Sequence, residues 1–195
     1  MLRRFLLNPL LSLLQPRMRY GLRSGDGRWR PHSRVGTHTT IEAPGQLLLG
    51  DHVYIGQFNF IDASGGLTIG TGVQITNHVS VLTHSTHRAV RIEREQFWGH
   101  AAPAGVMRAP TSIGEWSFLG PHCTIAAGTT IGVGVVVRAY SYVHGEVPDF
   151  AIVQGQPARV IGDVREADRA WLAGQPAALC ERYEAWLRKA VKGSQ

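Results

Sequence analysis

Apolar residues recur at every sixth position along most of the chain, in groups of three. The repeat positions are Trp29, Val35 and Ile41; Leu49, Ile55 and Ile61; Ile69, Ile75 and Val81; Ile113, Leu119 and Ile125; Ile131, Val137 and Val143. A glycine or another small or polar residue often follows. Sandwiches and barrels show alternation and hairpin turns instead. A six-residue period predicts one short strand and one corner per unit, with three units closing one turn of an all-β solenoid of about five coils.

The period stops after Val81 and resumes at Ile113, so the intervening residues are expected to leave the stack as a loop, 85–111. Long excursions from a rigid scaffold are commonly functional. The chain therefore divides into an N-terminal segment (1–28), a repeat domain with its extruded loop (29–162) and a C-terminal helix (163–195). That helix carries a packing face at helical spacing, formed by Trp171, Leu172, Leu179, Tyr183, Trp186 and Leu187.

Composition adds limits on partners and compartment. A formal charge of +6 suits phosphate-bearing ligands or an anionic membrane surface. No basic helix or interleaving of aromatic and basic residues appears, so nucleic acid is not expected as a partner. Two cysteines without metal-type spacing agree with a reducing compartment, and we expect a cytoplasmic protein.

The first residues, MLRRFLLNPLLSLLQPRMRYGLR, combine basic and apolar positions, but the apolar run is too short to span a bilayer. Two interpretations stay open. The segment is a short helix against the body or a partner subunit, or it contacts the inner membrane surface peripherally through apolar residues and arginines. Those arginines are Arg3, Arg4, Arg17, Arg19 and Arg23.

Most histidines fall three residues after a repeat position, which is the corner of the coil. These are His32, His38, His52, His78, His84 and His122. Corners often need left-handed backbone, which histidine tolerates better than branched residues do. An exposed corner is therefore the default interpretation, and only His84 adds a second feature, because it is the last corner before the loop. Cys123 falls on an inward small-residue position and is expected in the core.

The repeats resemble those of the hexapeptide-repeat acyltransferases over roughly residues 29 to 162. The stretch from Ser112 to Gly162, closing with Gly155 to Arg159 (GQPAR), is similar to the end of the galactoside, maltose and polysaccharide O-acetyltransferases. This resemblance implies a left-handed parallel β-helix, a homotrimer with active sites between subunits, acetyl-CoA as co-substrate and no metal.

The resemblance also implies the acceptor side of a site. LTHSTH is similar to the segment in which a histidine ahead of the extended loop is the catalytic base, which makes His84 the base. Asn59 in GQFNFID matches an asparagine that contacts the acceptor sugar, and the nearby Asp62 is a further candidate for contact with the acceptor. His87 is a second candidate, with a contact to the loop or acceptor preferred.

For the donor, the positions that match the family's coenzyme A groove are Phe118, Gly120, Pro121 and Ala139. Where relatives have a Thr-Lys pair, this chain has His144 and Gly145, so the lysine that would meet a phosphate is missing. Arg138 is a replacement candidate, and Arg159 keeps its family place. Guanidinium groups suit phosphate well.

The resulting hypothesis is an O-acetyltransferase that moves an acetyl group from acetyl-CoA directly to a sugar hydroxyl. A surface-polysaccharide or glycolipid precursor is the favoured carbohydrate acceptor. Alternatives on the same fold are N-acylation of an amino sugar and a nonenzymatic scaffold. A third is a γ-carbonic-anhydrase-like metal site, for which His84, His87 and His122 would have to converge.

Overall fold

The computed structural model describes residues 15–193. They form a parallel β-solenoid of about six turns, one more than the sequence predicts, because a sixth strand completes the first face. Predictions that fall on residues 1–14, including those on Arg3 and Arg4, lie outside the described residues. The described part of the N-terminal segment contributes a strand, Met18–Arg23, which runs antiparallel to Trp29–Gly36.

Three faces make up the solenoid. The first face contains β1 Met18–Arg23, β2 Trp29–Gly36, β5 Tyr54–Ile55, β8 Gln74–Ile75, β13 Phe118–Leu119, β16 Val136–Val137, β19 Ala151–Gly155 and β20 Ala158–Asp163. The second face contains β3 Thr40–Glu42, β6 Phe60–Asp62, β9 Ser80–Val81, β14 Thr124–Ile125 and β17 Tyr142–Val143. The third face contains β4 Leu47–Leu49, β7 Leu67–Ile69, β12 Thr111–Ile113, β15 Thr130–Ile131 and β18 Glu146–Val147. The chain visits the faces in this order. We call the connections after them the first, second and third corners.

The sixfold repeat forms the core, as the pattern predicts. Ile55, Ile61, Ile75, Leu119 and Ile125 are fully buried and stack on their equivalents in the next coil. A second inward position lies two residues earlier in each unit and holds smaller side chains; Cys123 occupies it and is 1% exposed. Each coil buries its apolar side against neighbours, so stacking supplies the stability that one coil lacks.

One predicted core position is wrong. Trp29 is 56% exposed, because it lies on β2 of the first face, whereas its repeat equivalents Leu49 and Ile69 point inward from the third face, which begins only at β4. Its indole lies over Gly21 in the antiparallel partner strand, where a Cβ atom would come within 2.1 Å of the ring.

The corners confirm the expectation of left-handed backbone for His52, His78 and His122, whose φ angles are 59°, 59° and 60°. All three are exposed. At the first corner, rings from successive coils stack in a row that runs His38, Phe58, His78, His122, Tyr140, with centroids 4.8–5.2 Å apart. Stacking of exposed rings is therefore a consequence of coil register.

Helical segments lie outside the solenoid. The loop carries α1 (Ala89–Glu93) and a 3₁₀ turn (Arg94–Phe97). The C-terminal helix is present in two pieces, α2 (Val164–Leu172) and α3 (Ala177–Gly193). Phe150, Val164 and Leu187 form a small second core that joins them to the solenoid. No helix among the described residues has the length and apolarity needed to cross a membrane.

Close approach of adjacent coils makes several corner glycines irreplaceable. A Cβ atom on Gly114 would lie 2.4 Å from the backbone of Gly132 in the next coil, whereas Gly45 has open space around it. We predict that Gly114→Ala lowers the free energy of unfolding by roughly 1–3 kcal/mol, the usual cost of overpacking. Equilibrium urea denaturation checks this. Gly45→Ala is the control, and equal stability of the two variants would contradict the proposed steric cause.

Candidate active site

The extruded loop leaves the solenoid at the second corner through a short stem. His84–Ser85 (β10) pairs antiparallel with Met107–Arg108 (β11), and Ala109 N donates to Thr83 O at 2.9 Å. Ordinary coil geometry resumes at Thr111, whose N–H donates to Gly66 O. His84 is thus held in the stem at the exit of the loop, and unlike His52 or His78 it has no positive φ.

His84 meets a carboxylate from the preceding coil. Its Nδ1 lies 2.7 Å from Oδ2 of Asp62, and the side chains are 30% and 0% exposed, respectively. Ser64 Oγ is also 3.0 Å from His84 Nδ1. The imidazole therefore has one nitrogen fixed toward the interior while part of the ring faces solvent.

Asp62 is held by several donors. Ser64 N donates to Oδ1 at 2.8 Å, and Thr83 donates to Oδ2 through its N–H at 2.9 Å and its hydroxyl at 2.8 Å. Burial acts to raise the pKa of Asp62, but the hydrogen bonds from Ser64 and Thr83 outweigh it and hold the pKa well below its usual range. The carboxylate is consequently ionised at neutral pH.

An ionised carboxylate can only accept, so we assign the proton of His84 to Nδ1. Within residues 15–193, Nε2 has no hydrogen-bond partner. This arrangement leaves a lone pair on Nε2 that can accept a proton from a substrate. Chemically, the pair is suited to general-base catalysis.

The predicted acceptor contacts occupy different environments. Asp62 was predicted to contact the acceptor, but its side chain is fully buried and faces His84. Asn59 is 3% exposed; its amide donates to Thr76 O at 2.8 Å and accepts from Val79 N at 2.7 Å. His87 is exposed in the loop, with Nδ1 2.7 Å from Ser85 Oγ. A direct acceptor contact stays a prediction for His87 and is not carried forward for Asn59.

The sequence interpretation did not pair Asp62 with His84. Asp62 lies one coil before the histidine, directly after a repeat position, and the early coils are spaced at 20 residues. That spacing places it under the residues that follow Val81. The 20-residue spacing of the coils could therefore have predicted the contact between Asp62 and His84. Residue type alone does not distinguish an aspartate that positions a histidine from one that contacts the acceptor.

Predicted donor positions lie elsewhere on the molecule. Phe118 is 41% exposed on the outer side of the first face, and Pro121 and Ala139 are exposed at the first corner. Gly120 is needed there, since a Cβ atom would lie 2.7 Å from Ala139 N. His84 is at the second corner, so one strand of the second face separates the predicted base from this region.

Two arginines accompany the donor positions. Arg138 is exposed and donates from Nη1 to Gln154 Oε1 at 3.1 Å, and Arg159 is exposed beside the first face. An open groove of about 530 Å³ lies next to them, with walls formed by His122, Thr124, Ser141, Tyr142, Gln156 and Pro157. Arg159, in β20, donates from Nη1 to Ala158 O at 3.0 Å.

The three histidines of the carbonic-anhydrase alternative do not converge. His84 pairs with Asp62 at the second corner, His87 lies in the loop, and His122 stacks between His78 and Tyr140 at the first corner. A zinc site needs its ligands within about 2 Å of one ion. This alternative is not supported.

Asp62 should also affect stability in a pH-dependent way. A carboxylate whose pKa is lowered on folding stabilises the protein above its unfolded pKa of about 3.9, and this contribution disappears as the pH falls through the folded value. We predict that Asp62→Asn lowers the Tm at pH 7 and that the difference from wild type narrows below about pH 4. Thermal unfolding across pH checks this, with a substitution of the exposed Glu146, Glu146→Gln, as control. A difference that does not depend on pH would contradict it.

No family model matches the chain. A protein of Mycobacterium tuberculosis, provisionally named an acetyltransferase, is 30% identical over 161 residues, which cover 80% of this chain and 50% of the relative. The chain thus spans about half the length of that relative. WbbJ of Escherichia coli, provisionally named a lipopolysaccharide biosynthesis O-acetyl transferase, is 27% identical over 149 residues and 71% of each chain.

Solved structures agree with the sequence relatives. A hexapeptide-repeat acetyltransferase of Vibrio cholerae, determined in complex with acetyl coenzyme A, superposes with a TM-score of 0.55 at 27% identity. The alignment covers 65% of this chain and 64% of that one. With the sixfold repeat, the three-faced parallel solenoid and these relatives in agreement, the chain belongs to the hexapeptide-repeat acetyltransferases.

Proposed function

We propose that the protein is an O-acetyltransferase that transfers an acetyl group from acetyl-CoA to a sugar hydroxyl, with His84 as general base. The observation that carries this proposal is the 2.7 Å contact between His84 Nδ1 and the buried Asp62 carboxylate at the base of the loop. The name of WbbJ supports O-acetyl transfer, and the acetyl coenzyme A complex of the Vibrio cholerae enzyme supports the donor.

The donor supplies an activated acetyl thioester. His84 Nε2 takes the proton of the acceptor hydroxyl while the hydroxyl oxygen bonds to the acetyl carbonyl carbon. As the carbon–sulfur bond breaks, the same proton passes from Nε2 to the leaving sulfur, which regenerates neutral imidazole. Asp62 stabilises the imidazolium between these steps and keeps the ring in the required tautomer. No cysteine or serine nucleophile is needed, and burial raises the pKa of the Cys123 thiol, which makes it a poor nucleophile.

Coenzyme A binding is assigned to the first corner. The exposed residues Phe118, Pro121 and Ala139 would offer surface to the pantetheine arm, and the buried Gly120 lets the adjacent coils approach closely there. Arg138 and Arg159 would meet phosphates in place of the lysine that this chain lacks at Gly145. Exposed guanidinium groups fit that task, because their donors match phosphate oxygens bidentately.

A surface-polysaccharide or glycolipid precursor is the proposed acceptor. WbbJ carries a lipopolysaccharide name, and the basic, apolar N-terminus of this chain would bring the protein to a substrate at the inner membrane surface. Transfer assays with free, nucleotide-linked and lipid-linked sugars test this, and the product identifies the chemistry. An amide-linked acetyl group on an amino sugar would replace the proposal by N-acylation.

We predict that His84→Ala lowers kcat by at least about 100-fold, because the base acts in the transition state. Coenzyme A affinity should change little, since the donor groove lies at another corner. Steady-state kinetics and calorimetric coenzyme A binding measure the two effects. His52→Asn is the control, a third-corner histidine away from both His84 and the donor groove, whose φ of 59° asparagine tolerates. Unchanged turnover in His84→Ala would refute the assignment.

We also predict a homotrimer. The base at the second corner and the donor positions at the first corner are separated within one chain, so a second copy must bring the two together in a cyclic assembly. Sedimentation should give the mass of three 21.3 kDa chains. A stable monomer with full transfer activity would contradict this prediction.

A further inference from the structure

A cluster of metal-ligand side chains lies at the N-terminal end of the solenoid, away from the catalytic corner. His32 belongs to β2 in the first coil. Asp51 and His52 lie at the third corner, where the first coil ends, and are next to His32 in register. One ring nitrogen of each histidine and one carboxylate oxygen of Asp51 lie within 4.8 Å of one another. In the described range 15–193, no other group of three such residues meets this distance.

The carboxylate in this cluster is held in place by the fold. Asp51 Oδ1 accepts from the backbone N–H groups of His32 at 3.0 Å and His52 at 2.9 Å, and Ser33 Oγ lies 3.3 Å away. Burial acts to raise the pKa of Asp51, but hydrogen bonds from His32 and His52 lower it to about 2. The group is therefore an anion at neutral pH, with Oδ2 directed at His32 Nδ1, 2.9 Å away.

The two imidazoles are arranged side by side. Their rings are parallel within 3°, with centroids 4.6 Å apart. The φ of 59° at His52 directs that side chain outward, and the side chain of His32 is 62% exposed. Both rings can rotate without disturbing the core.

We propose that His32, Asp51 and His52 bind one first-row divalent transition-metal ion, with Zn²⁺ as the reference ion and water as the remaining ligand. Two imidazoles and a carboxylate form a ligand set that such ions prefer. Bond lengths of about 2.0–2.2 Å imply ligand atoms roughly 3.3 Å apart in a tetrahedral site. The present separations, up to 4.8 Å, must contract by as much as roughly 1.5 Å, which rotation of the exposed rings can provide.

Such an ion would link the first coil to the second. The first coil has a complete coil on only one side, since β1 covers it along the first face alone, and terminal coils are prone to fraying. An ion that binds only the folded state stabilises that state. The site is independent of acetyl transfer, since His84 lies at a different corner.

The solenoid provides a matched control. His78 and His122 stack at the first corner with nearly the same geometry, 4.8 Å and 4°, but without a carboxylate in a metal-type group. His52 and His78 also share a φ of 59°. His52→Asn and His78→Asn therefore make the same chemical change at positions with the same backbone conformation.

The test is titration of the full, tag-free chain with Zn²⁺ by calorimetry and with Co²⁺ by visible spectroscopy. Wild type and His78→Asn are expected to bind one ion per chain at this site and to gain Tm with Zn²⁺. His52→Asn and Asp51→Asn are expected to lose at least tenfold in affinity and the gain in Tm. Should Asp51→Asn unfold, His52→Asn carries the test, because asparagine tolerates that backbone.

No Zn²⁺ binding by wild type would overturn the proposal. So would equal affinity in wild type, His52→Asn and His78→Asn, because any bound ion would then lie elsewhere.

Discussion

The rest of the structure depends on the fixed register between successive coils. Backbone N–H groups of one coil donate to carbonyls of the next along all three faces, as from Gly56 N to Ile75 O and from Gly120 N to Val137 O, both at 2.8 Å. Buried aliphatic residues stack in the same register, and glycine corners let the backbones approach closely. Because strands in a sheet lie about 4.8 Å apart, residues one coil apart in sequence become direct neighbours in space.

Register explains why functional groups far apart in sequence meet. Asp62 lies beneath His84, and Asp51 beside His32, because each pair is separated by about one coil. The same rule stacks His78 on His122, where no chemistry is proposed. The corner of the proposed base differs because the extruded loop begins there. The stem of the loop holds His84 with Nδ1 toward the buried Asp62 carboxylate and Nε2 facing outward.

Much of the fold could be predicted from the sequence, because each inward side chain is set by a local six-residue period. The loop and the inward position of Cys123 followed from that period. The prediction for Trp29 was wrong, because no third-face strand precedes β4. The helical spacing of apolar residues after residue 163 does not show the break between α2 and α3, which involves Gly174 and Pro176. The sequence singles out His84 as the candidate base, but the burial of Asp62 and Asn59 and the contact of Asp62 with His84 could not be read from it. The burial and hydrogen-bond partners of Asp62 and Asn59 depend on the register between coils. Asn59, for example, occupies the same small inward position, two residues before a repeat residue, as Cys123 does.

We assign the proton of His84 to Nδ1, held by the buried Asp62 carboxylate, with a free lone pair on Nε2. ¹⁵N-edited NMR of histidine side chains, with His84 assigned by comparison with His84→Ala, reads this tautomer directly at a pH at which the ring is neutral. We expect protonated Nδ1 and unprotonated Nε2 in wild type, and loss of this preference in Asp62→Asn. A wild-type His84 protonated on Nε2 would contradict it.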